Sequence, residues 1–209
     1  GSPLPYHVNN LILHTVNSYM LFHIAKVVFT KSSLTVPQGS IAALLCAIIF
    51  AIHPQHVESV VWVAERKGLL CCFFLMLSFL NYASYINERN ENPSRKYFYL
   101  SFVFYFAAIL SKPIAVTWPV LLLLLDCYPF RRIETNQSIS AISYKTLILM
   151  REKWLFFALS LLNALVTLYA QGRMSVMASE GDPTTLLLRV YNAIYSLFFY
   201  QAYFLFLFQ

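Results

Sequence analysis

Seven apolar segments, over residues 8–29, 39–62, 68–86, 97–111, 113–129, 154–171 and 186–208, occupy most of a chain of 209 residues. Spanning a hydrocarbon layer takes about 20 helical residues. The first three segments and the last reach that length, 154–171 falls slightly short, and the two between are shorter still. Only 11% of the residues are charged and 59% are hydrophobic, whereas a soluble domain carries about 25% charged residues. So small a supply cannot cover a water-facing surface. The chain therefore reads as an all-α, polytopic transmembrane helical bundle with about seven membrane segments.

Segments 97–111 and 113–129 are divided by Ser111-Lys112-Pro113. Proline lacks a backbone donor and clashes with the preceding turn, so two short helices are expected to meet here. Irregular backbone at membrane depth is tolerated only where protein buries it or where it lines a watery cavity. Lys112 thus calls for an anion, such as the phosphate of a lipid or nucleotide donor; the alternative is that its long stem snorkels to the interface. Ten of the fifteen basic residues lie in the links 26–38, 87–96 and 130–153, which favours an outside N-terminus with those links inside. The stretches HPQHVES (53–59) and AERKG (64–68), Lys112, the 171–185 loop and the start of the chain then share the outer face.

A helix running on from Pro54 would place Glu58, Trp62 and Glu65 on one face, with Arg66 adjoining and His56 nearby. Two carboxylates beside imidazole and guanidinium can activate an acceptor or order a sugar. Alternatively they form a capping cluster at a wet interface, with Glu65 paired to Arg66 or Lys67. His53 and His56 are interrupted by Pro54 and lack the spacing of a metalloprotease helix, so no metal set is assigned; a divalent ion would have to enter through a carboxylate. Asn10, His14 and Asn17 share a helical face suited to interhelical hydrogen bonds. Asp126 is expected to pair with Arg131 or Arg132 and fix a helix end. Arg173, in the loop QGRMSVMASEGDPTT (171–185), is a candidate phosphate contact, and Asp182-Pro183 reads as a helix start. Cys46, Cys71, Cys72 and Cys127 have no zinc-like spacing and read as small apolar fillers. No water-facing patch interleaves arginine with aromatics, so nucleic acid is not an expected partner.

Taken together, Tyr6-His7, the run from Asn9 to His14, HPQHVESVVWVAERKG and LSKPIAVTWPVLLLLLDCYPF resemble the multi-pass membrane mannosyltransferase-like proteins that often carry tetratricopeptide repeats after the membrane part. These are members of the GT-C fold superfamily, alongside the protein O-mannosyltransferases. The resemblance covers nearly the whole chain in order, strongest at 53–68 and 110–130. It implies a GT-C-like bundle whose residues 1–209 form a partial transmembrane glycosyltransferase domain, cut at both ends. It also implies transfer of a hexose such as mannose from a polyprenyl-phosphate sugar to a protein hydroxyl or other acceptor at the outer or luminal face. His53, His56 and Glu58 match the family's histidine-rich helix end, Glu65, Arg66 and Lys67 the following polar motif, and Lys112 the lysine of its Ser-Lys-Pro element. On this reading His53, His56, Glu58 and Glu65 serve catalysis, while Arg66, Lys67, Lys112 and Arg173 hold the carrier phosphate.

The resemblance further implies an acidic outer loop upstream of residue 1, carrying the general base, and an aspartate in many relatives where this chain has Gly68. The alternatives are an inactive membrane fragment or scaffold and a transporter of a lipid-linked or anionic solute, although no internal repeat supports transport. Expected partners are membrane lipid, the lipid-linked donor and a protein acceptor. The expected location is a bacterial inner membrane, with the endoplasmic reticulum membrane as the alternative.

Overall fold

The computed structural model describes residues 4–31, 34–88, 95–133 and 139–178 and parts of 188–199, with backbone alone at 139–141 and 172–178. Every regular element among them is helical. They are α1 Leu4–Thr30, α2 Val36–Ile52, α3 Gln55–Val61, α4 Arg66–Glu88, α5 Lys96–Ser111, α6 Trp118–Cys127, α7 Ile139–Glu152 and α8 Trp154–Ala178. Short 3-10 turns at Val63–Glu65 and Pro113–Thr117 lead into α4 and α6. The chain divides into two compact units, residues 1–165 and 166–209. In the second, Tyr191, Tyr195 and Phe199 stack along one helical face. The core and the sites described below lie in the first.

By length and composition, α1, Val63–Glu88 and Trp154–Gln171 can each cross a membrane; α2 and α3, bent by 59°, add a fourth as a broken span. The described residues thus give three to four spans rather than seven. Segments 97–111 and 113–129 form shorter apolar helices, and 186–208 lies largely outside the described residues.

The packing is turned inside out relative to a water-soluble protein. Helix α1 buries Asn10, His14 and Asn17 and exposes Leu11, Ile12 and Val16. Helix α2 buries Gly39, Ala43 and Ala47, one small residue per turn, while Ile41, Leu45, Ile48 and Ile52 face outward. Small residues let helices approach closely where lipid removes the hydrophobic drive for association. A Cβ on Gly39 would meet the Phe29 Cβ of α1 at 3.4 Å. The core proper lies between α4, α5, α6 and the start of α8, where Phe79, Tyr82, Phe98, Tyr105, Trp118, Leu122 and Phe156 are buried together.

Polar groups join these helices through complete pairs. The Ser78 hydroxyl contacts the Ser101 carbonyl at 2.9 Å and accepts the Trp118 indole N–H at 3.0 Å, tying α4 to α5 and α6. Tyr105 and Ser160 bond hydroxyl to hydroxyl, joining α5 to α8. Ser78→Ala strands the Trp118 donor in the core and is expected to cost about 1–3 kcal/mol. Thermal unfolding in detergent, followed by tryptophan fluorescence, checks this; an unchanged midpoint would mean that the indole finds another acceptor.

The Ser111-Lys112-Pro113 break is where the sequence places it. Helix α5 ends at Ser111, Lys112 is extended (φ −154°, ψ 126°), and Pro113 opens the 3-10 turn. The stretch after Pro54 differs from expectation. It is not one helix: α3 stops at Val61, Trp62 is extended, and a 3-10 turn precedes α4. Glu58, Trp62 and Glu65 therefore do not share a helical face. Val60, Val61 and Val63 are stiff at χ1 and weaken the helix here, and Asn10 of α1 takes up the carbonyls that the break releases. Residues 171–178, read as loop, continue α8.

Candidate functional site

The site end of the bundle is assembled by α1. The Asn10 amide donates to the carbonyls of Val60 at 3.2 Å and Trp62 at 3.4 Å, and its oxygen accepts Arg66 Nε at 3.3 Å. His14 Nε2 donates to the Ala51 carbonyl at 3.1 Å, and Asn17 to the Leu69 carbonyl at 3.0 Å. The stripe expected for interhelical bonding thus holds the end of α2, the end of α3 and the start of α4 in register. The Arg66 guanidinium also lies 5.3 Å over the Tyr6 ring.

Lys112 finds its anion inside the protein. Its ammonium donates to Glu65 Oε2 at 2.9 Å, with side-chain exposures of 33% and 24%. The partner of Glu65 is therefore neither Arg66 nor Lys67. Gly68, one helical turn on, makes room for the pair: a Cβ there would stand 3.0 Å from Glu65 Oε2 and 3.5 Å from Lys112 Nζ. Beyond the pair opens a groove of about 460 Å³. Its walls are Ile24 and Val28 of α1, Cys72, Leu75 and Phe79 of α4, and Trp118, Leu121 and Leu125 of α6, and among the described residues Lys112 is the one charged residue on its lining. From Gly68 to Phe79 the groove follows α4 for about 16 Å at the helical rise. An apolar trough headed by an ammonium suits an amphipathic anion.

The histidines form a separate corner. His53 caps α2 and is buried, its Nδ1 accepting the Gln55 N–H at 3.2 Å. His56 is half-buried against Phe50 and His14, with ring centroids 4.3 Å and 5.5 Å away. Glu58 is exposed on α3, and Lys67 on the first turn of α4. The backbone of Arg173 lies in α8; its side chain, like Asp182-Pro183, falls outside the described residues. Among the described residues no group of three or more His, Cys, Asp or Glu is arranged to hold a metal ion.

The structure therefore splits the eight sequence candidates. Glu65 and Lys112 meet at the groove head, Arg66 turns to Asn10 and Tyr6 of α1, and His53 and His56 build the α2–α3 corner. Sequence reasoning missed the Glu65–Lys112 pairing and the groove walls. The one signal for the pairing was a glycine placed directly after Glu-Arg-Lys.

At the far end of α4, Asp126 is fully buried. It accepts the Tyr82 hydroxyl at 2.7 Å and Arg132 Nη1 at 3.3 Å, and pairs with the fully buried Lys153. Arg132 also grips Glu152 with two nitrogens, at 3.1 and 2.7 Å. Of the two expected partners, Arg132 makes the pair. Burial works against the Arg132 charge, but Glu152, Tyr82 and Asp126 more than offset it and raise its pKa. Burial holds the Lys153 ammonium below the ordinary lysine range against the opposing pull of Asp126 and Glu152.

Fold and site together define an all-α membrane-type bundle with broken helices and a lipid-shaped groove headed by a cation. Over 94 residues the chain is 36% identical to human protein O-mannosyl-transferase TMTC4, a match covering 43% of this chain and 13% of that protein. It is 28% identical over 116 residues to Drosophila melanogaster protein O-mannosyl-transferase Tmtc1, covering 56% of this chain and 12% of that protein. With Xenopus laevis protein O-mannosyl-transferase tmtc2 it is 27% identical over 141 residues, covering 67% and 16% respectively. The chain is thus a homologue of the TMTC protein O-mannosyl-transferases, as its motifs imply, and spans a small part of the length of each of these relatives. All three are animal proteins, which lends no support to a bacterial inner membrane. No family model matches the chain, and no solved structure matches it.

Proposed function

We propose that this chain forms part of a membrane protein O-mannosyltransferase and seats its lipid-linked donor, a polyprenyl-phosphate mannose, in the endoplasmic reticulum membrane. The carrying observation is the apolar groove that ends at Lys112. The prenyl tail lies along α4 between α1 and α6, and its phosphate meets Lys112 at the luminal end, displacing Glu65 from the ammonium. Arg66, held by Asn10 and Tyr6, adds a second cation beside it. An acceptor hydroxyl of a protein attacks the anomeric carbon, the bond from that carbon to the phosphate oxygen breaks, and the carrier phosphate leaves with the electron pair. Cations fixed at the leaving phosphate favour the charge that develops there. Glu58 and His56 stand on the acceptor side, where a base draws the hydroxyl proton; His53 shapes the corner that carries them.

Binding of a short-chain polyprenyl phosphate to the chain in nanodiscs tests the reading. Lys112→Ala is expected to weaken it at least tenfold, about 1.4 kcal/mol, while inorganic phosphate, lacking the tail, binds far less well. Equal binding by the two proteins would sink the proposal and leave Glu65–Lys112 as the static packing pair of a membrane scaffold.

A further inference from the structure

The polar cluster at the far end of α4 closes without net charge: Asp126 and Glu152 are matched by Arg132 and Lys153. Two cations are left over. The Arg131 and Lys145 side chains have no ion-pair or hydrogen-bond partner among the described residues. Both line one cavity of about 390 Å³, together with Arg132 and the apolar Phe130, Ile148 and Leu149. Among the described residues the lining holds three cations and no acid.

The height of this cavity follows from α7. At 14 residues α7 is too short to span a bilayer, and it leads directly into the span that begins at Trp154. Its exposed residues include Tyr144, Leu147 and Ile148 beside the basic Lys145 and Arg151. A helix with that mixture lies in the interfacial plane, its apolar residues among the acyl chains and its cations at the headgroups. The cavity between α7 and the segment after α6 therefore opens at the level of lipid phosphates. It lies beyond the inner end of the Lys112 groove: Phe79 ends the groove on α4 and Ile86 lines the cavity about 10 Å further along at the helical rise, with Phe130 of the cavity wall stacked on Phe79.

We propose that this cavity binds the phosphate of an anionic glycerophospholipid from the leaflet opposite the donor site. Arg131 and Lys145 contact the phosphate, and Ile148 and Leu149 carry the start of the acyl chains. The surplus of two positive charges matches an anionic headgroup and leaves a zwitterionic one uncompensated. Basic pockets between helices on the cytoplasmic side recognise lipids in this way.

The test uses the whole chain in nanodiscs of phosphatidylcholine, titrated with short-chain phosphatidylserine, short-chain phosphatidylcholine or inorganic phosphate. Phosphatidylserine is expected to bind most tightly. Arg131→Gln with Lys145→Gln should weaken it roughly thirtyfold, the combined effect of two juxtamembrane charges, with the thermal midpoint unchanged. Arg132 is left in place because it belongs to the buried cluster. A Lys145→Glu variant should abolish the preference for phosphatidylserine over phosphatidylcholine. Equal binding of the two lipids by the unaltered chain, or unchanged affinity in the double variant, would overturn the proposal. Inorganic phosphate binding as tightly as phosphatidylserine would overturn the assignment to a lipid.

Discussion

Asp126→Ala is expected to cost about 3–5 kcal/mol of stability, because it leaves the ammonium of Lys153 buried without its partner. The Tyr82 hydroxyl loses its acceptor in the same step, whereas Arg132 keeps its two-pronged contact with Glu152. Two comparisons isolate the cause. Asp126→Ala combined with Lys153→Met removes both charges and should recover most of the loss. The pH dependence supplies the second. The folded-state pKa of Lys153 lies below its unfolded value, so between the two the unfolded chain binds more protons and stability rises with pH. Removing Asp126 deepens that depression, so the single variant should regain stability as the pH rises toward the unfolded lysine value of about 10.4. Denaturant unfolding in micelles across this range reads both effects. A single variant as stable as the double one would show that Lys153 reaches water instead.

Reversing the charge at the groove head should separate a static ion pair from a phosphate seat. Lys112→Glu places two carboxylates together and turns attraction for the carrier phosphate into repulsion. Unit charges 4 Å apart at a protein surface interact by about 4 kcal/mol before solvent screening. With Lys112 one-third exposed, losing the attraction and gaining the repulsion should together weaken carrier binding by roughly several hundredfold. Lys112→Glu combined with Glu65→Lys restores the pair and with it the thermal midpoint. Carrier binding should stay weak, because residue 112 lines the groove and residue 65 does not. Recovery of stability and binding together in the swapped protein would remove the phosphate from Lys112.

Local chemistry made part of this site legible. Pro113 dictates the break beside Lys112, the spacing of Asn10, His14 and Asn17 gives one polar face, and Asp126 lies within a turn or two of Arg132. What stayed hidden depends on contacts distant in sequence. Glu65 and Lys112 are 47 residues apart, so basic neighbours at 66 and 67 looked like the natural partners. Lys153 sits in a basic link that reads as solvated, yet the fold carries it to Asp126, 27 residues away. The break at Trp62 has no proline or glycine to announce it; three valines weaken the helix, and Asn10 from another helix completes the ending. Helix α7 was obscured because its mixture of apolar and basic residues is neither apolar enough for a span nor polar enough for a plain loop.

The polar stripe of α1 also bears on the order of events during synthesis. Its donors are met by carbonyls at Ala51, Val60, Trp62 and Leu69, which follow them by 37 to 52 residues. Until that length of chain has emerged, Asn10, His14 and Asn17 have none of these acceptors, and hydrocarbon offers no substitute. Helix α1 is therefore a poor lone passenger in the bilayer, and α2 to α4 are what release it into lipid. A nascent chain halted before Leu69 keeps an unfinished polar face, because the Asn17 amide has not yet met its acceptor.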